Sequence, residues 1–263
     1  MNILQKIVAH KKAEVTQAQA DVSIVSLQKA CANRTFRPFE ANLASATSKR
    51  MAIIAEIKRA SPSKGVICTD LDPAVQAQAY QKGGAAALSV LTDRRFFKGN
   101  ANDLTSARAH CNLPVLRKDF IIDPYQIYET AAMGADAALL IARILTPRQL
   151  ADFMTLCREL GLAVLVETHT AQEIEQAVVA GATIIGVNNR NLENFDTDID
   201  RSVQLADKVD AHTVLVAESG IQTAADVRQL AQSGIRAFLV GESLVRAENP
   251  VKKLKELVFA AAS

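Results

Sequence analysis

Apolar positions along the chain follow two successive rhythms. Over residues 1–46 they recur at helical spacing. Ile3, Leu4, Ile7, Val8 and Val15 mark one amphipathic helix, and Ser23 to Ala32 suits a second, shorter one. From Met51 the pattern changes to short continuous apolar runs that alternate with helix-competent stretches. Five runs open on glycine: GGAAALSVL from Gly83, GADAALLIA from Gly134, GLAVLVE from Gly161, GATIIGV from Gly181 and GIRAFLV from Gly234. Each follows a helical stretch such as PYQIYETAAM or AQEIEQAVVA. A glycine just past a helix end permits a left-handed C-cap. Three more runs, MAIIAEIK from Met51, LPVLRKDF from Leu113 and HTVLVAES from His212, lack that lead-in.

Unbroken apolar runs read as strands buried on both faces, as a parallel sheet requires. Repeats about 20–30 residues apart suit βα units joined by short loops. Eight units in this length predict a closed (β/α)8 TIM barrel, in the α/β class, with additional N-terminal helices. The expected organisation is one domain over residues 1–263, with 1–46 as a helical extension capping it. An open doubly wound sheet is the alternative, but no G-x-G-x-x-G follows the first strand.

In such a barrel the chemistry sits at the C-terminal ends of the strands. There the runs end, in order, on Glu56 and Lys58; Thr92 and Asp93; Lys118, Asp119 and Phe120; Arg143; Glu167; Asn188 and Arg190; Glu218, Ser219 and Gly220; and Gly241. Residues two apart on a strand share a face. Glu56 therefore faces with Lys58, Lys118 with Phe120, and Asn188 with Arg190. A single charge at a strand end is usually solvated or partnered. Three carboxylates and two lysines converging above an apolar floor are costly to desolvate unless they pair or serve chemistry. The last two loops, ESGIQTAAD and GESLVRA, offer Ser219, Gly220, Gly241 and Ser243 as donors of the kind that bind phosphate in these barrels. Thr223 is placed to cap the helix that follows. The polar loop Ser61-Pro62-Ser63-Lys64-Gly65 after the first strand reads as a mobile cover over the site.

Composition narrows the choice. With 49% hydrophobic and 22% charged residues and a net charge of +2, the chain has a sizeable core and no electrostatic case for nucleic acid. No stretch reaches the ~18 apolar residues of a membrane span, and the N-terminus lacks a signal-peptide core. Cys31, Cys68, Cys111 and Cys157 form no C-x-x-C pair and read as reduced thiols of a cytoplasmic protein. The histidines are isolated, so no metal site is expected.

AEIKRASPSKG closely resembles the signature of the indole-3-glycerol-phosphate synthase family of tryptophan biosynthesis. LRKDFIIDPYQI, LLIARIL, LVETHT, GVNNRNLENFDTD, VAESGI and LVGESLVR resemble that family's later strand ends in order. The resemblance implies a single barrel with extra N-terminal helices and no metal or organic cofactor. Its substrate is 1-(2-carboxyphenylamino)-1-deoxyribulose 5-phosphate, and the reaction is ring closure followed by loss of CO2 and water. It implies Lys118 as general acid, and Glu56 and Glu167 for charge stabilisation and dehydration. Lys58 would hold the substrate carboxylate or phosphate, Asn188 and Arg190 would orient the anthranilate part, and Glu218 would complete the polar ring. Ser61, Phe97, Phe120, Leu139 and Leu192 would contact the substrate, with Phe97 preferred to Phe96 by its spacing to Gly99. Lys58, Ser219, Gly220, Gly241, Glu242 and Ser243 would hold the phosphate. Some family members have serine directly after the last strand's glycine. This chain has Glu242 there, so a backbone N–H must serve, with Ser243 as helper. The resemblance also implies a monomer and a chain without a fused isomerase. A lysine Schiff-base aldolase and a non-catalytic phosphate-binding barrel are the competing readings.

Overall fold

The computed structural model describes residues 2–32, 34–191, 195–210 and 212–261. Three helices precede the barrel: α1 (Ile3–Asp21), α2 (Ile24–Cys31) and α3 (Phe39–Ala44). Asn2 and Ser23 cap the first two with their side chains. The barrel strands are β1 (Ala52–Ile57), β2 (Ala87–Leu91), β3 (Val115–Lys118), β4 (Ala137–Ile141), β5 (Ala163–Thr168), β6 (Ile184–Asn188), β7 (Val214–Glu218) and β8 (Ala237–Val240). All pair in parallel, each with its sequence neighbours. β1 also pairs with β8, Ala52 opposite Ala237, which closes the barrel and excludes the open sheet. Between strands lie α4 (Pro73–Gly83), α5 (Arg94–Phe97), α6 (Ala101–Ala109), α7 (Pro124–Met133), α8 (Pro147–Glu159), α9 (Ala171–Val179), α10 (Asp200–Leu205) and α11 (Ala224–Gln232), and α12 (Glu242–Val245) follows β8. The last helix is α13 (Pro250–Val258).

Local sequence explains the punctuation. Helices α4, α7, α8 and α13 each begin with a capping side chain followed by proline, the arrangement that satisfies one orphan N–H and removes another. Thr223 caps α11, with Asp226 completing a capping box. In the Gly83-Gly84 pair the second glycine takes the left-handed cap, at φ 90°. The first instead lies against Leu254 of α13, where a Cβ would collide. One element escaped the sequence reading. The loop after β1 forms a small antiparallel hairpin, Ala60–Ser61 against Gly65–Val66.

Side-chain alternation divides each strand between two cores. Outward residues such as Ile53, Ala55, Leu88 and Val90 pack against the helices. Inward residues fill the barrel, among them Ile54, Leu116, Leu165, Val216 and Leu239, and Phe39 and Leu43 of α3 join this interior cluster. Asn42 Nδ2 donates to the Ala86 carbonyl at 2.9 Å, just before β2, so α3 plugs the N-terminal mouth. Among the described residues no helix is long and apolar enough to cross a membrane.

Asp136 ties this lower end together. Its buried carboxylate accepts from Val115 N at 2.9 Å, Arg37 N at 2.9 Å and Arg108 at 3.0 Å. Asp136→Ala leaves two backbone donors and a guanidinium without their acceptor. It is expected to destabilise the chain by roughly 3 kcal/mol, read as a lower urea midpoint. An unchanged midpoint would show that the lower end is held by apolar packing alone.

Candidate active site

The barrel's inward positions turn polar at one height. Two residues above Ile54, Leu116, Leu165 and Val216 stand Glu56, Lys118, Glu167 and Glu218, at the C-terminal ends of β1, β3, β5 and β7. Barrel interiors are built of layers of four side chains from alternate strands. Here the top layer is ionisable instead of aliphatic. It floors a cavity of about 480 Å³, a size suited to a small ligand.

The four groups touch. Lys118 Nζ donates to Glu167 Oε2 at 3.0 Å and lies 3.6 Å from Glu218 Oε2. Glu167 Oε1 accepts from Asn188 Nδ2 at 3.1 Å. Glu56 is ion-paired with Lys58. Burial disfavours the ammonium of Lys118, but Glu167, Glu218 and Glu56 outweigh it and hold the group above the usual lysine range. Burial likewise pushes Glu167 upward, and Lys118, His169 and the Asn188 hydrogen bond hold it below the carboxylate range. Glu218 is the odd carboxyl out. Burial pushes it up to about 8, Lys118 offsets only part of this, and the negative Glu167 and Glu56 add to the rise. The layer thus holds two ion pairs and one neutral acid.

Two glycines make room for this layer. A Cβ at Gly186 of β6 would collide with Glu218 Oε1, and one at Gly241 after β8 would collide with Glu56 Oε1. Each carboxylate rests on a bare stretch of neighbouring backbone.

The walls are mixed. Phe97 of α5 and Phe120 face each other with ring centroids 5.9 Å apart, and Leu139 lies on the lining with them. Phe96 points elsewhere, onto His10. Ser61, Ser63 and Lys64 of the first loop also line the cavity. Arg190 donates to Ser63 Oγ at 2.7 Å, joining the β6 loop to the β1 loop. Ser219, Gly220, Gly241, Glu242 and Ser243 line the end formed by β7 and β8. Ser219 and Gly220 are consecutive left-handed residues at φ 65° and 83°. The Ser243 hydroxyl donates to Ile221 O at 3.0 Å, stapling the two loops, while Glu242 pairs with Arg246.

Every candidate residue except Leu192 lines this one cavity. Leu192 lies outside the described residues. Other strand-end residues serve elsewhere. Asp93 caps α5 by accepting from Phe96 N at 2.7 Å, Thr92 donates to Asp119 at 2.6 Å, and Arg143 pairs with Glu173 at 2.9 Å. The sequence reading missed the wall contributed by Ile3, Leu4 and Ile7 of α1. Their helical spacing was visible, but nothing in it says which surface they cover. It also missed buried His169, whose ring lies 3.9 Å from Glu167 and 3.6 Å from Glu173. Among the described residues no group of three or more His, Cys, Asp and Glu could hold a metal.

Gly186→Ala is expected to lower kcat by about tenfold or more by displacing Glu218, with circular dichroism unchanged. Wild-type kcat would show that the Glu218 seat is adaptable. Glu218 also predicts a pH effect on folding. Its carboxyl is protonated in the folded state up to about 8 but ionises near 4.5 when unexposed to these neighbours. Between those values the folded state binds the extra proton, so stability falls as pH rises, by up to about 1.4 kcal/mol per pH unit. Glu218→Gln should flatten that slope in urea titrations from pH 5 to 8. An equal slope in both proteins would mean that Glu218 is ionised.

Comparison with known proteins identifies the family. The family model described as indole-3-glycerol phosphate synthase matches residues 4–257. The chain is 50% identical to the indole-3-glycerol phosphate synthase of Desulfosudis oleivorans over 259 residues, 98% of each chain. It is 47% identical to that of Paracidovorax citrulli over 262 residues, 97% of this chain and 98% of the relative. Among solved structures, 3-hexulose-6-phosphate synthase from Salmonella typhimurium shares the fold at a TM-score of 0.65 with 15% identity. That match covers 81% of this chain and 99% of the other. A family model matched over nearly the whole chain and relatives about half identical along their full length show that the chain belongs to the indole-3-glycerol phosphate synthase family.

Proposed function

We propose a division of labour for the family's reaction, the conversion of 1-(2-carboxyphenylamino)-1-deoxyribulose 5-phosphate to indole-3-glycerol phosphate with loss of CO2 and water. The observation that carries it is the Lys118 ammonium group placed 3.0 Å from Glu167 Oε2 and 3.6 Å from Glu218 Oε2. Ring closure needs a proton for the ketone oxygen as the aromatic carbon attacks. Lys118 supplies it from a site that water does not level. The attack leaves positive charge on the anilino nitrogen, which the carboxylate of Glu56 stabilises. Loss of CO2 returns the bonding electrons to the ring. Dehydration then needs a donor for the leaving hydroxyl and an acceptor for a proton. The Glu56–Lys58 pair and Glu167, on β1 and β5 across the barrel, supply both kinds of group.

Binding follows the walls. Phe97, Phe120 and Leu139 take the aromatic ring. Asn188 and Arg190 orient the anthranilate carboxylate, for which a guanidinium fork is suited, and Ser61 completes this end. The phosphate goes to Ser219, Gly220, Gly241, Glu242 and Ser243, where α12 begins. The first N–H groups of a helix lack intrahelical partners and point at such a ligand. Lys58 adds charge from β1. The single-domain organisation, a monomeric state and a cytoplasmic location belong to the same proposal. The four cysteines are all unpaired, as a reducing compartment keeps them.

A Schiff-base mechanism fits less well. It needs a neutral amine as nucleophile, and the carboxylates around Lys118 favour the opposite charge state.

Lys118→Ala and Glu167→Gln should each lower kcat by about a hundredfold or more, followed by the ultraviolet absorbance of the indole product. Their circular dichroism spectra should match wild type. Near-wild-type turnover in either folded variant would remove these assignments.

A further inference from the structure

Lys11, in the middle of α1, is a buried cation outside the catalytic layer. It occupies the helix's buried stripe with Leu4, Ile7 and Val15, a stripe on which a charge is costly unless paired. Its Nζ lies 2.9 Å from Asp93 Oδ2 and 2.9 Å from Asp119 Oδ1, and it also pairs with Glu14. Burial opposes its charge, but Asp119 and Asp93 outweigh that and raise it above the usual lysine range.

What those two aspartates do is the point. Asp93 Oδ1 caps α5 at Phe96 N, and the Asp93 carbonyl accepts from Gly99 N at 2.8 Å. Together these bonds shape the turn that presents Phe97 to the cavity. Asp119 stands between Lys118 and Phe120 in the chain. Its Oδ1 accepts from Phe120 N at 2.8 Å, and its Oδ2 takes Thr92 and Arg117. The first turns of α1, on the same helix as Lys11, give Ile3, Leu4 and Ile7 to the cavity wall. One ammonium therefore joins three elements that meet at the aromatic end of the site.

We propose that Lys11 is a positioning residue for the reaction. It locks α1 to Asp93 and Asp119, and so sets the placement of Phe97, Lys118 and Phe120 and keeps the apolar wall of α1 closed over the substrate ring. The proposal rests on the assignment of this cavity as the synthase site. An ion pair serving stability alone would leave substrate affinity untouched in a folded variant. A positioning role acts on the aromatic end and spares the phosphate end, which β7 and β8 build.

The test uses the full chain, with steady-state kinetics for wild type, Lys11→Met, Asp93→Asn and the double variant. sn-Glycerol 3-phosphate serves as a competitive probe of the phosphate end. Lys11→Met is expected to lower kcat/KM by about thirtyfold, with about tenfold of it in KM, while the inhibition constant of the probe stays within about twofold. Asparagine at position 93 keeps the oxygen that caps α5 and removes the charge facing Lys11. It should lower kcat/KM by about fivefold or more, and the double variant should be no worse than Lys11→Met, since the two act through one contact. A folded Lys11→Met with kcat/KM within about threefold of wild type would overturn the proposal. So would equal losses for substrate and probe, or additive losses in the double variant. If Lys11→Met does not fold, Asp93→Asn decides, and wild-type kinetics in it would overturn the proposal. Turnover by wild type in the same assay separates failure of this proposal from failure of the functional reading.

Discussion

A lysine placed in a dry cavity ordinarily gives up its proton, because burial penalises the ammonium. Lys118 keeps it because the barrel surrounds it with carboxylates it cannot avoid. Four ionisable side chains occupy one layer, one from every second strand. Their charges cannot be set independently, since three bare carboxylates against one ammonium would leave a large uncompensated charge out of water. The layer resolves this with Lys118 paired to Glu167, Lys58 to Glu56, and Glu218 protonated. The same constraint yields a protonated lysine, two paired carboxylates and a neutral carboxyl within one small volume. Catalytic readiness and the tolerable burial of charge are here one arrangement.

The closed barrel makes that arrangement possible, and small residues finish it. Alternation along each strand sends Glu56, Lys118, Glu167 and Glu218 inward above an aliphatic floor. Gly186 and Gly241 then leave seats for two of the carboxylates. A methyl group at either place would displace an oxygen whose position fixes the charge balance of its neighbours. The loops add a second level of order. Arg190 bridges to Ser63 and Ser243 to Ile221, so cavity walls from different strands are tied to one another.

Much of this was legible in the chain. Parallel strands buried on both faces announce themselves as unbroken apolar runs, and the spacing of eight of them leaves few closures. The parity that pairs Glu56 with Lys58, and Lys118 with Phe120, needs only the two-residue repeat of a strand. Function was legible through the family resemblance of the strand ends, more than through any one motif. What was not legible depends on contacts between distant segments. Ile3, Leu4 and Ile7 look like any helix stripe until α1 is docked. Lys11 looks like a surface charge in a run of lysines, and only the approach of Asp93 and Asp119 shows it to be buried. Thr92, Asp93 and Arg143 end their strands as plausibly as Lys118 does. Their partners turn them away from the cavity, and partners are not written in local sequence. The hairpin in the β1 loop has two short strands without an apolar pattern to signal them.

The charge state of Lys118 is the centre of this account, and nuclear magnetic resonance of lysine side chains measures it directly. In protein labelled at the lysine ε-carbon, the resonance missing from Lys118→Ala identifies this residue. The account predicts that it keeps its ammonium shift through pH 10.5, the midpoint of an ordinary lysine. A titration centred well below that value would mean that the carboxylates do not hold the proton, and the proposed acid would have to be sought elsewhere in the layer.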